Sequence, residues 1–227
     1  MPDRSSPFLD TLLPVGSRKL ATHANAVTCV LVGRTGPLRL ECDGQRVDGD
    51  ILLVRPGVAH AVALAERGAD ALFLNGLTFP FDAPLAQVMG GVLAQLACDA
   101  LRGDRCAMHE LRARLTARAP RLPTGIAEVV RAIYADPMQR MSQDELARRL
   151  HMERTRALRC FKAATGQTFR ELKRWSALQH AAQLMAKGAL VRTAAMDAGF
   201  ADTAHLSRVF HRGFGLTPSA AIAALGQ

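Results

Sequence analysis

Two short segments in the second half of the chain carry side chains that suit contact with nucleic acid. Arginine can donate two parallel hydrogen bonds to a guanine edge, and threonine can bond a base or touch the methyl group of thymine. The candidates for base contact are Arg154, Thr155, Arg156, Arg159, Thr203, Ala204, His205 and Arg208. Neighbouring cations that could bind phosphate are Lys162, Lys173, Arg174, His211 and Arg212. The alternative for all of them is a solvated basic face that makes phosphate contacts only.

The distribution of charge favours a polyanionic partner for the second half. Residues 121–227 hold 16 lysines and arginines against 8 acidic residues, a net charge of +8. Residues 1–120 hold 13 against 12, so almost all of the excess positive charge lies in one half. This asymmetry is typical of a nucleic-acid-binding domain, although a generally arginine-rich composition would also give a basic surface.

Both segments belong to an internal repeat. Residues 159–162 align with residues 208–211 at an offset of 49, and the same offset places Gly166 on Gly215. Upstream the offset becomes 48, which indicates one extra residue in the turn of the second copy. The repeat therefore predicts two copies of one structural unit.

The local sequence of each copy predicts a helix, a tight turn and a second helix. Good N-caps precede helical patterns, and glycines follow them at positions that favour a left-handed conformation. These signals are Ser142 with Glu145, Thr168 with Glu171, Gly199, Asp202, Gly166, Gly215 and Thr217-Pro218. We predict helix-turn-helix units at about 142–166 and 191–215. A linker helix over 169–187 would span roughly 28 Å, comparable to the roughly 34 Å between successive major grooves.

The first half has the pattern of a small antiparallel β domain followed by helices. Short apolar or alternating runs, separated by turn dipeptides, predict a barrel or sandwich over about 20–80. Helices are predicted over about 84–118, and two prolines near 120 mark the boundary with the second domain. The predicted fold class is α+β multidomain, with domains at 1–119 and 120–227. The apolar stripe of Val88, Val92 and Leu96 predicts a dimerisation helix, with packing on the β domain as the alternative.

At this point the sequence resembles the AraC/XylS family of transcription regulators. Gly199-Phe200, then Asp202, then a helix ending Ser207-Arg208-Val209-Phe210 resembles the family signature, and the similarity extends over about 126–224. The resemblance implies a cupin-like N-terminal domain for sensing and dimerisation. It also implies that the protein binds promoter DNA, contacts RNA polymerase, forms a homodimer and responds to a small-molecule effector.

Among the departures from the family pattern are the residue that opens the first recognition helix and the one in the turn before it. Glu153 opens the first recognition helix where the family often has serine, and its charge is expected to repel phosphate. His151 replaces the turn glycine, and histidine tolerates a positive φ better than most residues.

The remaining reactive side chains favour no enzyme chemistry. A metal-binding cupin needs a His-x-His pair and a carboxylate, whereas His60 has only His23 as a companion before residue 100. We therefore expect no metal, no cofactor and no catalysis, with His60 as a candidate effector contact at the barrel mouth. A cupin enzyme fused to a DNA-binding module is the less favoured alternative.

The cysteines and the apolar runs concern the setting in which the protein acts. An odd count of five cysteines without paired spacing suits a reducing cytoplasm, and no run suggests a signal peptide or a membrane span. Cys160 lies inside the first recognition helix, so regulation by oxidants or electrophiles is one alternative. An effector-independent regulator is another.

Overall fold

The computed structural model describes residues 10–16, 19–77, 83–116, 122–138 and 141–225. Within them the chain forms nine strands followed by nine helices. The strands are β1 (Thr11–Val15), β2 (Lys19–Ala24), β3 (Thr28–Gly33), β4 (Leu38–Cys42), β5 (Gln45–Gly49), β6 (Ile51–Val54), β7 (Ala59–Ala63), β8 (Ala69–Leu74) and β9 (Ala86–Val88). The helices are α1 (Gly91–Leu101), α2 (Arg105–Thr116), α3 (Thr124–Ala135), α4 (Gln143–Arg149), α5 (Arg154–Thr165), α6 (Phe169–Ala186), α7 (Val191–Asp197), α8 (Thr203–Phe214) and α9 (Pro218–Leu225). None of the described helices is long and apolar enough to cross a membrane.

The strands form two antiparallel sheets with a shared core. One sheet has the order β1-β8-β3-β6-β9 and the other β2-β7-β4-β5. In β4, Leu38, Leu40 and Cys42 are buried while the residues between them are exposed. This period of two is typical of a strand with one face in the core and one face in solvent. The two sheets therefore bury their facing side chains against each other, as the alternating sequence predicts.

The central strands of the first sheet, β3, β6 and β8, are buried on both faces. Val30, Leu53 and Leu72 belong to a second cluster in which they pack against α1 and α2. Burial on both faces explains why β6, with the sequence Ile-Leu-Leu-Val, lacks alternation. The trailing helices thus cover the outside of this sheet.

The start of the first trailing helix was predicted wrongly. Helix α1 begins at Gly91, and residues 86–88, predicted as helix, form strand β9 paired with β6. Consequently Val88 lies on an edge strand, and Leu96 is partly buried in the cluster beneath α1. The predicted domain boundary at 119/120 lies outside the described residues.

The helical half contains two separate cores. The first consists of α3, α4, α5 and the start of α6, centred on the fully buried Phe161. The second includes Trp175, Phe210 and Phe214 and continues without interruption into the core between the two sheets. Phe73 of β8 marks the junction, with its ring centroid 5.5 Å from that of Trp175 and 5.1 Å from that of Phe214.

Candidate nucleic-acid interface

Helices α4 and α5 form the first helix-turn-helix unit. The Ser142 hydroxyl accepts from the Glu145 amide at 3.0 Å and caps α4, but Glu145 pairs with Arg149 at 2.7 Å instead of completing a capping box. In the turn between the helices, His151 has a φ of +51°. It therefore adopts the left-handed conformation that a glycine would adopt more easily at this position. The predicted first unit at about 142–166 therefore coincides with α4, its turn and α5.

Glu153 has a role that the sequence analysis missed. Its carboxylate accepts hydrogen bonds from the amides of Thr155 at 2.9 Å and Arg156 at 3.1 Å. These bonds lower the pKa of Glu153, and the positive end of the helix dipole favours an anion there. Glutamate is an uncommon N-cap, so its position directly before the helix gave only a weak signal.

Helices α7 and α8 repeat the arrangement. Gly199 makes the turn with a φ of +77°, and the Asp202 carboxylate caps α8 by accepting from the His205 amide at 2.6 Å. Gly215 ends α8 in the left-handed conformation, as Gly166 ends α5. The internal repeat in the sequence is therefore a repeat in the structure.

Helix α6 joins the two units as one continuous helix of 18 residues. It begins with a complete capping box, in which Thr168 and Glu171 each accept from the other's backbone amide. At 1.5 Å per residue it is roughly 27 Å long, close to the predicted length.

Most predicted base contacts lie on exposed helix faces. In α5 the exposed residues are Arg154, Thr155, Arg156 and Arg159, and in α8 they are Thr203, Ala204 and Arg208. The buried faces of the same helices carry Phe161 and Phe210, so each helix keeps its polar face free of the core. Among the predicted phosphate contacts, Lys162, Arg174, His211 and Arg212 are also exposed.

Two of the predicted contacts, Lys173 and His205, are partly buried and engaged within the protein. The Lys173 ammonium donates to the carbonyl of Met141 at 2.5 Å and lies 5.1 Å from the ring centroid of Phe169. Partial burial lowers the pKa of Lys173. The His205 ring packs edge-on against Phe200 at 5.3 Å, and its Nδ1 accepts from the Ala201 amide at 3.4 Å.

The His60 side chain is buried inside the β domain. It is 1% exposed, and its ring centroid is 4.3 Å from that of His23 on the neighbouring strand. Each Nδ1 pairs with a backbone carbonyl, of Ala21 for His23 and of Val58 for His60, both at 2.8 Å. Burial lowers the pKa of both rings, that of His23 to about 4, so both are neutral near pH 7. No three metal-binding side chains come together in the described residues.

Comparisons with known proteins agree with this geometry. The family described as "Helix-turn-helix domain" matches residues 146–223, which include most of both units. Residues 146–223 of this chain therefore form an AraC-type helix-turn-helix domain.

Solved structures extend the likeness to the whole fold. ToxT from Vibrio cholerae O395 matches 96% of this chain and 97% of its own at 12% identity, with a TM-score of 0.63. ToxT of strain SCE256, described as bound to an unsaturated fatty acid, matches 94% of both chains at 11% identity, with a TM-score of 0.60. An AraC-type regulator from Chromobacterium violaceum matches 45% of this chain and 93% of its own, at 23% identity and a TM-score of 0.43. No protein with a curated description gives a significant sequence match.

The AraC-type domain is joined to the β domain by contacts that the sequence did not indicate. The side-chain amide of Asn25 donates to the backbone carbonyl of Gly213 at 2.6 Å. The backbone amide of Ala21 donates to the backbone carbonyl of Gly215 at 3.0 Å. Asn75, which is fully buried, accepts from both Tyr134 and Trp175 through its side-chain oxygen. No periodicity or motif could have paired these residues, because they are 50 or more positions apart.

Proposed function

We propose that the protein is a sequence-specific transcription regulator that inserts α5 and α8 into successive major grooves of promoter DNA. The observation that carries this proposal is the pair of repeated units, each with an exposed polar face on its second helix. The net charge of +8 in residues 121–227 supplies the attraction to phosphate. The proposed site of action is the cytoplasm, with RNA polymerase as the partner that the family resemblance implies.

Selection from random DNA duplexes tests this function and the role of each helix. We expect Arg156→Ala or Thr155→Ala to relax base preference in one half of the selected site, by about 1–3 kcal/mol per lost base contact. Arg208→Ala should affect the other half, about 10 base pairs away. Arg46→Ala is the matched control, because it removes the same charge from an exposed strand of the β domain.

The outcome separates base contacts from phosphate contacts. A side chain that binds phosphate only would weaken all sequences about equally and lower the salt dependence. If the parent protein enriches no sequence, the proposal of sequence-specific binding is wrong. If Arg156→Ala and Arg208→Ala alter the same base positions, the two helices do not occupy successive grooves.

We propose that the β domain controls this activity in response to a small organic acid. A cleft between the two halves is lined by Arg174, Arg212 and Glu171 and by apolar residues that include Trp175, Leu178 and Val209. Its two guanidinium groups outnumber the one carboxylate and lie beside an apolar surface, which suits a carboxylate ligand with an apolar body. ToxT, which shares the fold, is described as bound to an unsaturated fatty acid.

An acid in this cleft would engage the same arginines that are proposed to bind phosphate. We therefore expect short-chain and medium-chain carboxylic acids to raise the melting temperature and weaken DNA binding, whereas the matching alcohols do neither. An effect that is equal for acids and alcohols would contradict this assignment. The His60 ring is buried beside that of His23, so an effector would reach it only if the surrounding side chains moved.

The alternative of cysteine-based sensing is restricted by burial. Cys29 and Cys42 are buried, and burial raises the pKa of both thiols, which disfavours the reactive thiolate. Sensing would therefore depend on Cys98, Cys106 or Cys160, which are partly or fully exposed. Replacing these three with serine and repeating the DNA-binding measurement under oxidant would decide between the two signals.

We further propose that the protein is a homodimer through the surface around Val88 and Val92. These side chains are 54% and 58% exposed, and they are four positions apart in the chain, on β9 and in the first turn of α1. Leu96, the third residue of the predicted dimer surface, contributes from a partly buried position.

A further inference from the structure

The two helix-turn-helix units are attached to the β domain in different ways. The second unit shares a hydrophobic core with the two sheets, in which Trp175 and Phe214 pack against Phe73. The core of the first unit contains only residues of the helical half. Because apolar cores resist deformation, the second unit and the β domain should move as one body.

Polar side chains at two places join the first unit to that body. The Tyr134 hydroxyl, at the end of α3, donates to the side-chain oxygen of Asn75 at 2.6 Å. The Gln167 amide, in the turn after α5, donates to the carbonyl of Ala26 in the loop between β2 and β3. Both bonds connect the first unit to one end of the β domain, where β2, β3 and β8 meet their loops.

The acceptor at Asn75 is held firmly in place. The backbone amide of Asn75 donates to the Asp10 carboxylate at 3.0 Å, and its backbone carbonyl accepts from Arg112 at 2.6 Å. Arg112 also pairs with Asp10 at 2.7 Å, with both side chains largely buried. Asn75 is therefore a rigid acceptor that is connected to α2 as well as to the sheet.

The linker helix α6 fixes the distance between the two units but does not by itself fix the orientation of the first unit relative to the second. Phe169 and Leu172 at its start belong to the core of the first unit, and the helix from Trp175 onward belongs to the shared core. A helix resists stretching but bends gently at small cost. The Ser176 hydroxyl donates to the carbonyl of Ile133 at 3.1 Å and joins α3 to this helix, so rotation of the first unit about α6 is restrained against the β domain by the bonds of Tyr134 and Gln167.

We propose that Tyr134 and Gln167 are positioning residues that set the orientation of recognition helix α5 relative to α8. The second unit is the fixed DNA-contact surface of the β domain, and the first unit is the adjustable one. This inference rests on the proposed DNA-binding function. If Tyr134 and Gln167 set this orientation, the spacing of half-sites that the protein prefers depends on side chains that do not touch DNA.

The test uses the full-length double variant Tyr134→Phe with Gln167→Met, which removes both polar bonds at nearly constant volume. Asn25→Leu is the matched control: its side-chain amide donates to the carbonyl of Gly213 at 2.6 Å, a buried bond between the β domain and the second unit. DNA probes carry the duplex selected by the parent protein with one base pair added or removed between the half-sites. The parent and Asn25→Leu should lose affinity steeply on either change.

We expect the double variant to bind the parental spacing on the order of tenfold more weakly, since a loosened unit must be ordered on binding. It should tolerate the altered spacings better than the parent does, which a general loss of stability would not produce. An unchanged spacing profile would overturn the proposal, whereas failure of the parent to select any duplex would overturn the proposed function instead.

Hydrogen exchange on the free protein provides a test that needs no DNA. Amides of α3 and α5 should exchange faster in the double variant, while those of α8 keep the parental rate. Equal acceleration in α5 and α8, or none in either, would show that these side chains do not position the first unit.

Discussion

Replacing Gly215 with alanine should separate the second helix-turn-helix unit from the β domain. Gly215 has a φ of +73°, and a Cβ there would lie 2.5 Å from Nδ1 of His23 and 2.7 Å from the carbonyl oxygen of Ala21. The oxygen belongs to the backbone of β2, so it can yield only if the strand moves. The glycine is therefore required for both the end of α8 and the contact with the sheet.

The internal repeat offers a matched control. Gly166 ends α5 with a φ of +75° but is exposed, so Gly166→Ala has mainly the conformational cost of about 1–2 kcal/mol. Gly215→Ala adds an overpacking cost of about 1–3 kcal/mol. We expect the free energy of unfolding to fall by about 2–5 kcal/mol for Gly215→Ala, clearly more than for Gly166→Ala.

Trp175 is the only tryptophan of the chain and provides the assay. Its ring packs 5.3 Å from that of Phe214 at the junction, so its fluorescence in urea reports separation of the second unit from the β domain. The transition should move to lower urea in Gly215→Ala and less in Gly166→Ala. Equal shifts would refute the reasoning, because they would show that β2 does not restrict position 215.

Three further changes have defined outcomes. Because burial lowers the pKa of His23 to about 4, the unfolded chain binds more protons than the folded chain below about pH 6.5. The free energy of unfolding, measured in urea, should therefore fall by about 2 kcal/mol between pH 7.5 and pH 5. The variant His23→Gln should reduce that loss. Val88→Glu with Val92→Glu should give a folded monomer by light scattering, and a persistent dimer would place the interface elsewhere. The fragment 122–227 should bind DNA with a salt-dependent affinity but aggregate more readily than the full chain, because it exposes Phe214; adding Phe214→Ser should not alter the salt dependence.

Local signals predicted the helical half well. Asp202, Thr168, Gly166 and Gly215 act as caps and helix stops where the sequence indicated them, since each acts on amides or backbone angles a few residues away. Strand β9 was missed because its period of apolar residues also fits a helix, and only pairing with β6 decides between them. Signals that act over a few residues were therefore predicted correctly, whereas the pairing of β9 with a strand more than 30 residues earlier was not.

The largest gap between sequence and structure concerns the relation of the two halves. Two prolines near residue 120 suggested independent domains, yet the second core runs from the sheets through Phe73 into Trp175 and Phe214. The sequence shows that these aromatic side chains are apolar but not which element covers them. Without the partner surface, the apolar residues of α6 and α8 fit an ordinary helical core equally well. The proposed signal in the β domain would reach α8 through this shared core, and it would reach α5 through α6 and the bonds of Tyr134 and Gln167.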